Sequence, residues 1–455
     1  MRRLILMLGL VGCASPDGPG DADTDAPGSP APATNVRTFC HGGGFEDDAL
    51  LRRLVVEGDA VVTLGARDPG DAGLNAWDPV WLRLGAGSAV TVNTTSREDA
   101  EDADAVAAID AAGLVYLRGG DQARYLEHWQ GTALQEALSR AAARGAVLGG
   151  SSAGCMLLAA WAYDAREGSV AAYEALADAQ DPWITFTEGF LPQLPAVVDT
   201  HFTERGRLGR LAVFVARVAD QGGPSLGLGI DPNTAVVGLA DGSFEIVGEG
   251  AVTLLRAGES SPTLAAPPTI RGQRMWVMPA GYTFRLDTSD PVVERPEWVG
   301  SPRPSDQLAE WEGLTIDGDD AAQRSIGETL LTGLDATGGW REGSLGRAPG
   351  EGRLPGVSVF TRLYDTRDAF EDHLGGLLWL LAARPGLVVV GVDVGNTVEA
   401  GADLSLTPGA GSVALILDGR AATHSALTPD AGWQRVALEG VSLDVVGEGS
   451  VWRAR

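Results

Sequence analysis

The chain has 455 residues, 44% of them hydrophobic and 21% charged, with 34 Lys plus Arg against 61 Asp plus Glu for a net charge of −27. That apolar share supports packed cores in two or three domains. The acidity excludes a non-specific nucleic-acid binder and a polybasic membrane-surface protein, because anionic phosphate would be repelled. The sequence contains no lysine, so a Walker A lysine, a Schiff-base lysine and a Ser–Lys dyad are all excluded. Any imidazole base is one of His41, His128, His201, His373 and His424. Three cysteines (Cys13, Cys40, Cys155) are too few for a Cys-rich zinc site or a disulfide scaffold.

Met1-Arg2-Arg3 is a short positive leader, followed by an apolar run, Leu4 to Val11, too short to span a bilayer. It ends in Leu10-Val11-Gly12-Cys13, which resembles the lipobox of bacterial lipoproteins. Residues 1–13 therefore read as a signal peptide, with Cys13 as the lipidated residue. Residues 14–35, rich in Pro, Gly, Asp and Ser, read as a disordered tether that cannot bury enough apolar surface to fold. The resemblance implies a membrane-anchored lipoprotein facing the periplasm or the cell surface. Ala14 as the second mature residue favours the outer membrane. No other segment is apolar for long enough to cross a bilayer.

From Asn35 the hydrophobic period alternates. Val36 to Cys40 reads as a strand, followed by the turn Gly42-Gly43-Gly44 and a helix over Asp47 to Glu57. Ala60 to Leu64 is a predicted strand, Asn75 to Leu84 a helix, Ala89 to Val92 a strand and Asp102 to Ala112 a helix. The predicted strand Leu114 to Leu117 runs into Gly119-Gly120. A helix over Thr132 to Arg144 precedes a short buried strand, Ala146 to Leu148. Such alternation indicates a mostly parallel sheet covered on both faces, with its site at the carboxyl ends of the strands. The turns at Gly119 and Gly149 are then the places to look.

Gly150-Ser151-Ser152-Ala153-Gly154 fits G-x-S-x-G between that strand and a helix-like run, Cys155 to Trp161. A sharp strand-to-helix turn strains the middle residue, leaves no room for side chains two positions away, and presents the serine hydroxyl at the sheet edge. Ser152 is thus the candidate nucleophile. The Ala153 N–H and the Gly119-Gly120 turn, with Gly120, are the candidate oxyanion donors. Cys155 reads as a small core residue; a Cys40–Cys155 disulfide stays open. Among the histidines, His201 is the candidate base, because a strand (Pro195 to Val198) runs into it and arginines flank it. His41, beside the first Gly turn, is a possible site-lining residue.

Four ordered motifs carry a family resemblance: Gly119-Gly120-Asp121-Gln122; Gly150 to Gly154; Asp199-Thr200-His201-Phe202-Thr203-Glu204-Arg205-Gly206-Arg207-Leu208-Gly209-Arg210-Leu211; and Gly227-Leu228-Gly229-Ile230-Asp231. Together they resemble the cyanophycinase and α-aspartyl dipeptidase family of serine peptidases. The resemblance implies an α/β fold, flavodoxin-like or class I glutamine-amidotransferase-like: a three-layer sandwich with a mostly parallel sheet over residues 36–290. It also implies a Ser–His–Glu triad and no metal or organic cofactor. By motif, Ser152 is the nucleophile, His201 the base and Glu167 the third member, with Asp164 and Asp199 as alternatives. Gln122, Arg205, Arg207 and Arg210 correspond to substrate-contacting residues; arginine suits an aspartyl substrate because it pairs carboxylates bidentately. The implied partner is an aspartyl peptide or a cyanophycin-like polymer. The extra acidic stretch from Ala172 to Asp181 makes aspartyl-peptide hydrolysis a firmer expectation than cyanophycin itself.

Residues 301–455 contain an internal echo. Leu226 to Thr234 resembles Val389 to Thr397, and Ser243 to Gly250 resembles Ser442 to Gly449. With no G-x-S-x-G and no matching histidine, this region reads as a degenerate, inactive partial repeat. Packing on the catalytic domain, polymer binding and homodimer formation are three open roles for it. The leading expectation is an exported serine exopeptidase. A catalytically silent surface lipoprotein and an esterase or amidase using the same elbow are the alternatives.

Overall fold

The computed structural model describes residues 35–66, 77–286, 290–299, 314–317, 329–332, 346–349, 351, 353–354, 357–361, 374–393, 395–427 and 435–453. The leader, lipobox Cys13, most of the expected tether and His373 lie outside the described residues.

Two large sheets organise the chain where one was expected. The first opens with β1 (Val36–His41), α1 (Asp48–Arg52), β2 (Ala60–Ala66), α2 (Trp77–Arg83), β3 (Ser88–Thr94), α3 (Ala103–Ala111), β4 (Leu114–Leu117), α4 (Gln122–Trp129), α5 (Ala133–Ala143) and β5 (Val147–Ser151). Strands β1, β5, β4, β2 and β3 lie side by side in that order, and every pair among them is parallel. The helix starts are set by side chains that accept the first free amides. Asp47, Asp102, Asp121 and Thr132 each cap the helix that follows. Strand β5 is buried at all five positions, as expected of a central parallel strand covered on both faces.

The elbow then changes sheets. Helix α6 (Ala153–Met156) has only four residues, too few to fold back across the sheet, and the chain runs into β6 (Ala159–Tyr163). The expected helix over Cys155 to Trp161 is therefore half strand; a short apolar run is compatible with either state. After α7 (Ala172–Ala177) and β7 (Phe186–Glu188), β6 pairs with β7 and with β8 (Leu194–Thr200), in a second sheet. Helix α8 (Leu208–Asp220) leads to β9 (Leu226–Ile230), parallel to β8. The chain crosses back to the first sheet with β10 (Thr234–Leu239), antiparallel to β1, and β11 (Phe244–Gly248). It returns to the second with β12 (Ala251–Arg256) and β13 (Ile270–Pro279). Strands β14 (Thr283–Arg285) and β15 (Val292–Glu294) close the edge of the first sheet. The fold is mixed α/β, less parallel than expected.

The C-terminal region continues the second sheet. After β16 (Leu314–Asp317), β17 (Thr329–Thr332) and β18 (Gly346–Pro349) come β19 (Val357–Thr361), α9 (Leu374–Ala383) and β20 (Val388–Val392). Next are β21 (Thr397–Gly401), β22 (Ser405–Pro408), β23 (Val413–Asp418), β24 (His424–Leu427), β25 (Val436–Gly447) and β26 (Trp452–Arg453). The sheet order β19-β20-β23-β25-β13-β12-β9-β8-β6-β7 joins both regions through the antiparallel β13–β25 pair. The two members of the second sequence echo occupy unlike places: β11 lies in the first sheet, whereas residues 442–447 belong to β25 in the middle of the second. Shared strand-turn residues do not impose a shared neighbour.

A core between the sheets, with Val198, Leu228, Ile230, Val236, Leu254 and Met278, holds Cys40 and Cys155, fully buried. They form a disulfide across 115 residues of sequence, tying β1 to α6. A loop of that length gives a cross-link about 2–5 kcal/mol of leverage on the unfolded chain. Cys40→Ser is expected to lower the thermal midpoint by several degrees, in a calorimetric scan, and reducing agent to lower the wild type by a similar amount.

Candidate active site

Ser152 follows the last residue of β5 and opens α6 with φ +51° and ψ −119°, in the left-handed half of backbone space. This is the strained elbow expected of G-x-S-x-G. The flanking glycines are sterically required. A Cβ on Gly150 would stand 2.5 Å from the Gly154 backbone, and one on Gly154 would stand 2.2 Å from the Leu117 carbonyl oxygen.

His201 follows β8 in the other sheet, also at positive φ (+50°). Its Nε2 lies 3.0 Å from the Ser152 Oγ, and its Nδ1 lies 2.7 Å from Glu204 Oε2. The His201 N–H donates to the Gly42 carbonyl at 2.8 Å. Gly43 packs flat against the imidazole: a Cβ there would meet Nε2 at 2.3 Å. Burial pulls the His201 pKa below its ordinary value, and the Arg205 charge pulls the same way, against Glu204. Both influences favour the neutral imidazole, the form that can accept a proton.

Of the expected residues, Ser152, His201 and Arg205 come together in this arrangement. Gln122 is the first residue of α4 and donates to the Tyr163 carbonyl at 3.4 Å. Arg205 is half-buried, and its Nε, shielded from solvent, has no hydrogen-bond partner. Ala153 is the first residue of α6, where an amide has no acceptor within the helix. Gly119 approaches Ser152, its Cβ position 3.3 Å from the Ser152 Cβ, while Gly120 faces Tyr125.

The remaining expected side chains have other places or other partners. The carboxylate on His201 Nδ1 is Glu204, three residues on; Glu167 is exposed and is not bonded to the imidazole. Asp164 accepts from Thr185 and Thr187 and pairs with Arg166. Arg207 and Arg210 do not face a substrate: both are buried and directed onto Asp199. Arg210 donates to both Asp199 oxygens, at 2.7 and 2.6 Å, and to the Val170 carbonyl at 2.7 Å. Arg207 donates to Asp199 at 3.0 Å and to the Thr200 carbonyl at 2.6 Å. Burial alone would raise the Asp199 carboxyl, but Arg210 and then Arg207 hold it below the usual carboxylate range. Asp199 is therefore consumed by this triad of charges and does not orient the imidazole.

Residues 83–246 match the model of peptidase family S51, a span that contains Ser152, His201, Glu204 and Arg205. Over that span the chain is similar to the S51 peptidases. It is 28% identical over 244 residues to the cyanophycinase of a Nostoc species, covering 52% of this chain and 78% of that one. It is 27% identical over 260 residues to the cyanophycinase of Synechococcus elongatus, covering 56% and 74%. Among solved structures it is similar to a peptidase from an acI-B1 Actinobacterium, with a TM-score of 0.39, 19% identity and 55% of this chain against 98% of that one. A putative peptidase E protein from Listeria monocytogenes follows, with a TM-score of 0.33, 13% identity and coverage of 47% and 98%.

Two further groups lie close by: His41, expected as a site-lining residue, and Glu46, which the sequence did not single out. His41, fully buried, accepts from the Gly43 N–H at 3.2 Å through Nδ1, which also lies 3.3 Å from Ser151 Oγ. Glu46 turns its carboxyl toward Ser151 and Tyr116, and burial raises its pKa against those contacts. No pattern in the sequence marks Glu46 apart from the exposed Asp47 and Asp48 beside it.

Two outcomes follow from these electrostatics. Arg210→Met removes the bidentate partner of the buried Asp199, leaving Arg207 alone on it, and should cost up to about 3–5 kcal/mol in chemical denaturation; a stable variant with only KM altered would restore the substrate-contact reading. Burial, and then the His201 charge, push the His41 pKa from 6.5 down to about 4. The unfolded chain binds the extra proton between those values, so stability is full above pH 6.5 and falls as the pH drops toward 4. The shift of 2.5 corresponds to about 3 kcal/mol at most. His41→Gln should flatten that part of the stability-against-pH curve.

Proposed function

We propose that this chain is a serine exopeptidase that cleaves aspartyl peptide bonds, with Ser152 as nucleophile, His201 as general base and Glu204 as the carboxylate that orients the imidazole. The observation that carries this reading is the chain of contacts from Ser152 Oγ to His201 Nε2 (3.0 Å) and from His201 Nδ1 to Glu204 (2.7 Å). A carboxylate on Nδ1 holds the proton there and leaves Nε2 free to accept from serine.

In this scheme the Ser152 oxygen attacks the scissile carbonyl carbon as His201 Nε2 takes its proton. The oxyanion forms in front of the Ala153 N–H, with the turn at Gly119 and Gly120 as the second source of donors. His201 then protonates the leaving amine, and water reverses the sequence to free the acid. Arg205, a half-buried cation next to the His–Glu pair, suits the carboxylate of an aspartyl side chain. The cyanophycinase relatives support an aspartyl polymer or its dipeptides as the substrate class. The leader ending at Cys13 would hold this activity at a membrane surface.

Turnover of cyanophycin and of α- and β-aspartyl dipeptides tests the assignment. Ser152→Ala and His201→Ala are expected to lose about a thousandfold or more in kcat/KM. Glu204→Gln should lose about 10–100-fold, less than a buried triad acid, because its side chain is 38% exposed. Glu167→Gln should stay within about twofold of wild type. Activity surviving Ser152→Ala would reject the mechanism, and a large loss in Glu167→Gln alone would return that residue to the triad.

A further inference from the structure

The motif from Gly227 to Asp231 has no role in the chemistry above. Its last residue sits where the chain leaves β9 in the second sheet to reach β10 in the first. Asp231 is buried, and both of its oxygens are engaged. Oδ1 accepts from the Thr203 N–H at 3.1 Å and from the Thr203 hydroxyl at 2.7 Å; Oδ2 accepts from the Ala251 N–H at 3.0 Å. Thr203 lies in the turn between His201 and Glu204, so the carboxylate grips the segment that presents both.

The rest of the crossover grips the same segment from the other side. The Phe202 N–H donates to the Ile230 carbonyl at 3.2 Å. The Asn233 N–H donates to the Gly43 carbonyl and the Gly42 N–H to the Thr234 carbonyl, each at 2.8 Å. Asn233 Oδ1 accepts from the Phe45 N–H at 2.7 Å. Gly42 and Gly43 are the residues that receive the His201 amide and imidazole. Residues 231–234 therefore pin the two strips of backbone that enclose His201.

A buried carboxylate whose donors are neutral is costly, and a turn needs no charge to be a turn. What a carboxylate supplies here is two acceptor oxygens for three donors on two different segments. Asparagine has one such oxygen. Resting on the serine-peptidase reading, we propose that Asp231 is a positioning residue of this active site: by clamping Thr203 it holds His201 and Glu204 aligned on Ser152.

The test is a double-mutant cycle on the full chain, read by the rate at which a fluorophosphonate probe labels Ser152. Asp231→Asn is expected to slow labelling about tenfold in the wild-type background. It should slow it less than about twofold in the Glu204→Gln background, because the aligned pair is already broken. Thr203→Val removes only the hydroxyl bond and serves as the second variant should Asp231→Asn not fold. It is expected to slow labelling about threefold with Glu204 present and to have no effect without it. A merely structural role predicts equal factors in both backgrounds; that result, or unchanged labelling in the wild-type background, would overturn the proposal. A wild-type chain that the probe does not label at Ser152 sinks the serine-peptidase reading, and the clamp with it. A labelled wild type with indifferent Asp231 and Thr203 variants sinks the clamp alone.

Discussion

The site depends on a close approach between two sheets that do not share a strand. Ser152 ends β5 in one sheet and His201 ends β8 in the other. Their side chains can meet only if backbone from the first sheet passes directly beside the imidazole. Gly43 does so, and the Gly42 carbonyl takes the His201 amide. The disulfide between Cys40 and Cys155 ties β1 to the helix behind Ser152, within a few residues of that approach. Backbone strain at both Ser152 and His201 is affordable because so many contacts over-determine their positions.

Charge is distributed to the same end. In a chain with a net charge of −27, the arginines after His201 are a local excess of positive charge. Two of them are partnered within the fold: Arg207 and Arg210 close on the single carboxylate of Asp199 at the base of α8, beneath the loop that carries His201. Arg210 also lies over the rings of Tyr163 and Phe214, at 5.4 and 5.5 Å, which fits a cation built into packing. Arg205 remains near the surface beside the His201–Glu204 pair. Its field opposes that of Glu204 on the imidazole, and burial decides the balance toward the neutral base.

The C-terminal region is part of the same architecture. Strand β25 lies against β13 along most of its length, and α8 and α9 contribute to one continuous core with β12, β13, β23 and β25. The second sheet therefore joins strands from both sides of residue 300 through the β13–β25 pair. Each half of that sheet contains a parallel strand–helix–strand unit, β8–α8–β9 and β19–α9–β20, followed by antiparallel strands.

The Ser152 and His201 candidates were readable without coordinates, since both rest on local necessity. A strand meeting a helix across glycines must present Ser152, and with no lysine and five histidines the choice of base was short. The alternation of strands and capped helices from Val36 to Ser151 was readable for the same reason: period and capping act over a few residues. Glu204 stood in the motif quoted for the family, three residues past His201, yet spacing could not rank it above Glu167; only the turn of the backbone brings one carboxylate to Nδ1. The roles of Arg207, Arg210 and Asp231 were likewise hidden, because burial and partner choice belong to segments far apart in the chain. What the sequence by itself determined was which chemical groups exist and which backbone turns present them. The tertiary structure alone decided which of those groups meet, because electrostatic pairing and desolvation depend on distance in space and have no fixed relation to distance along the chain.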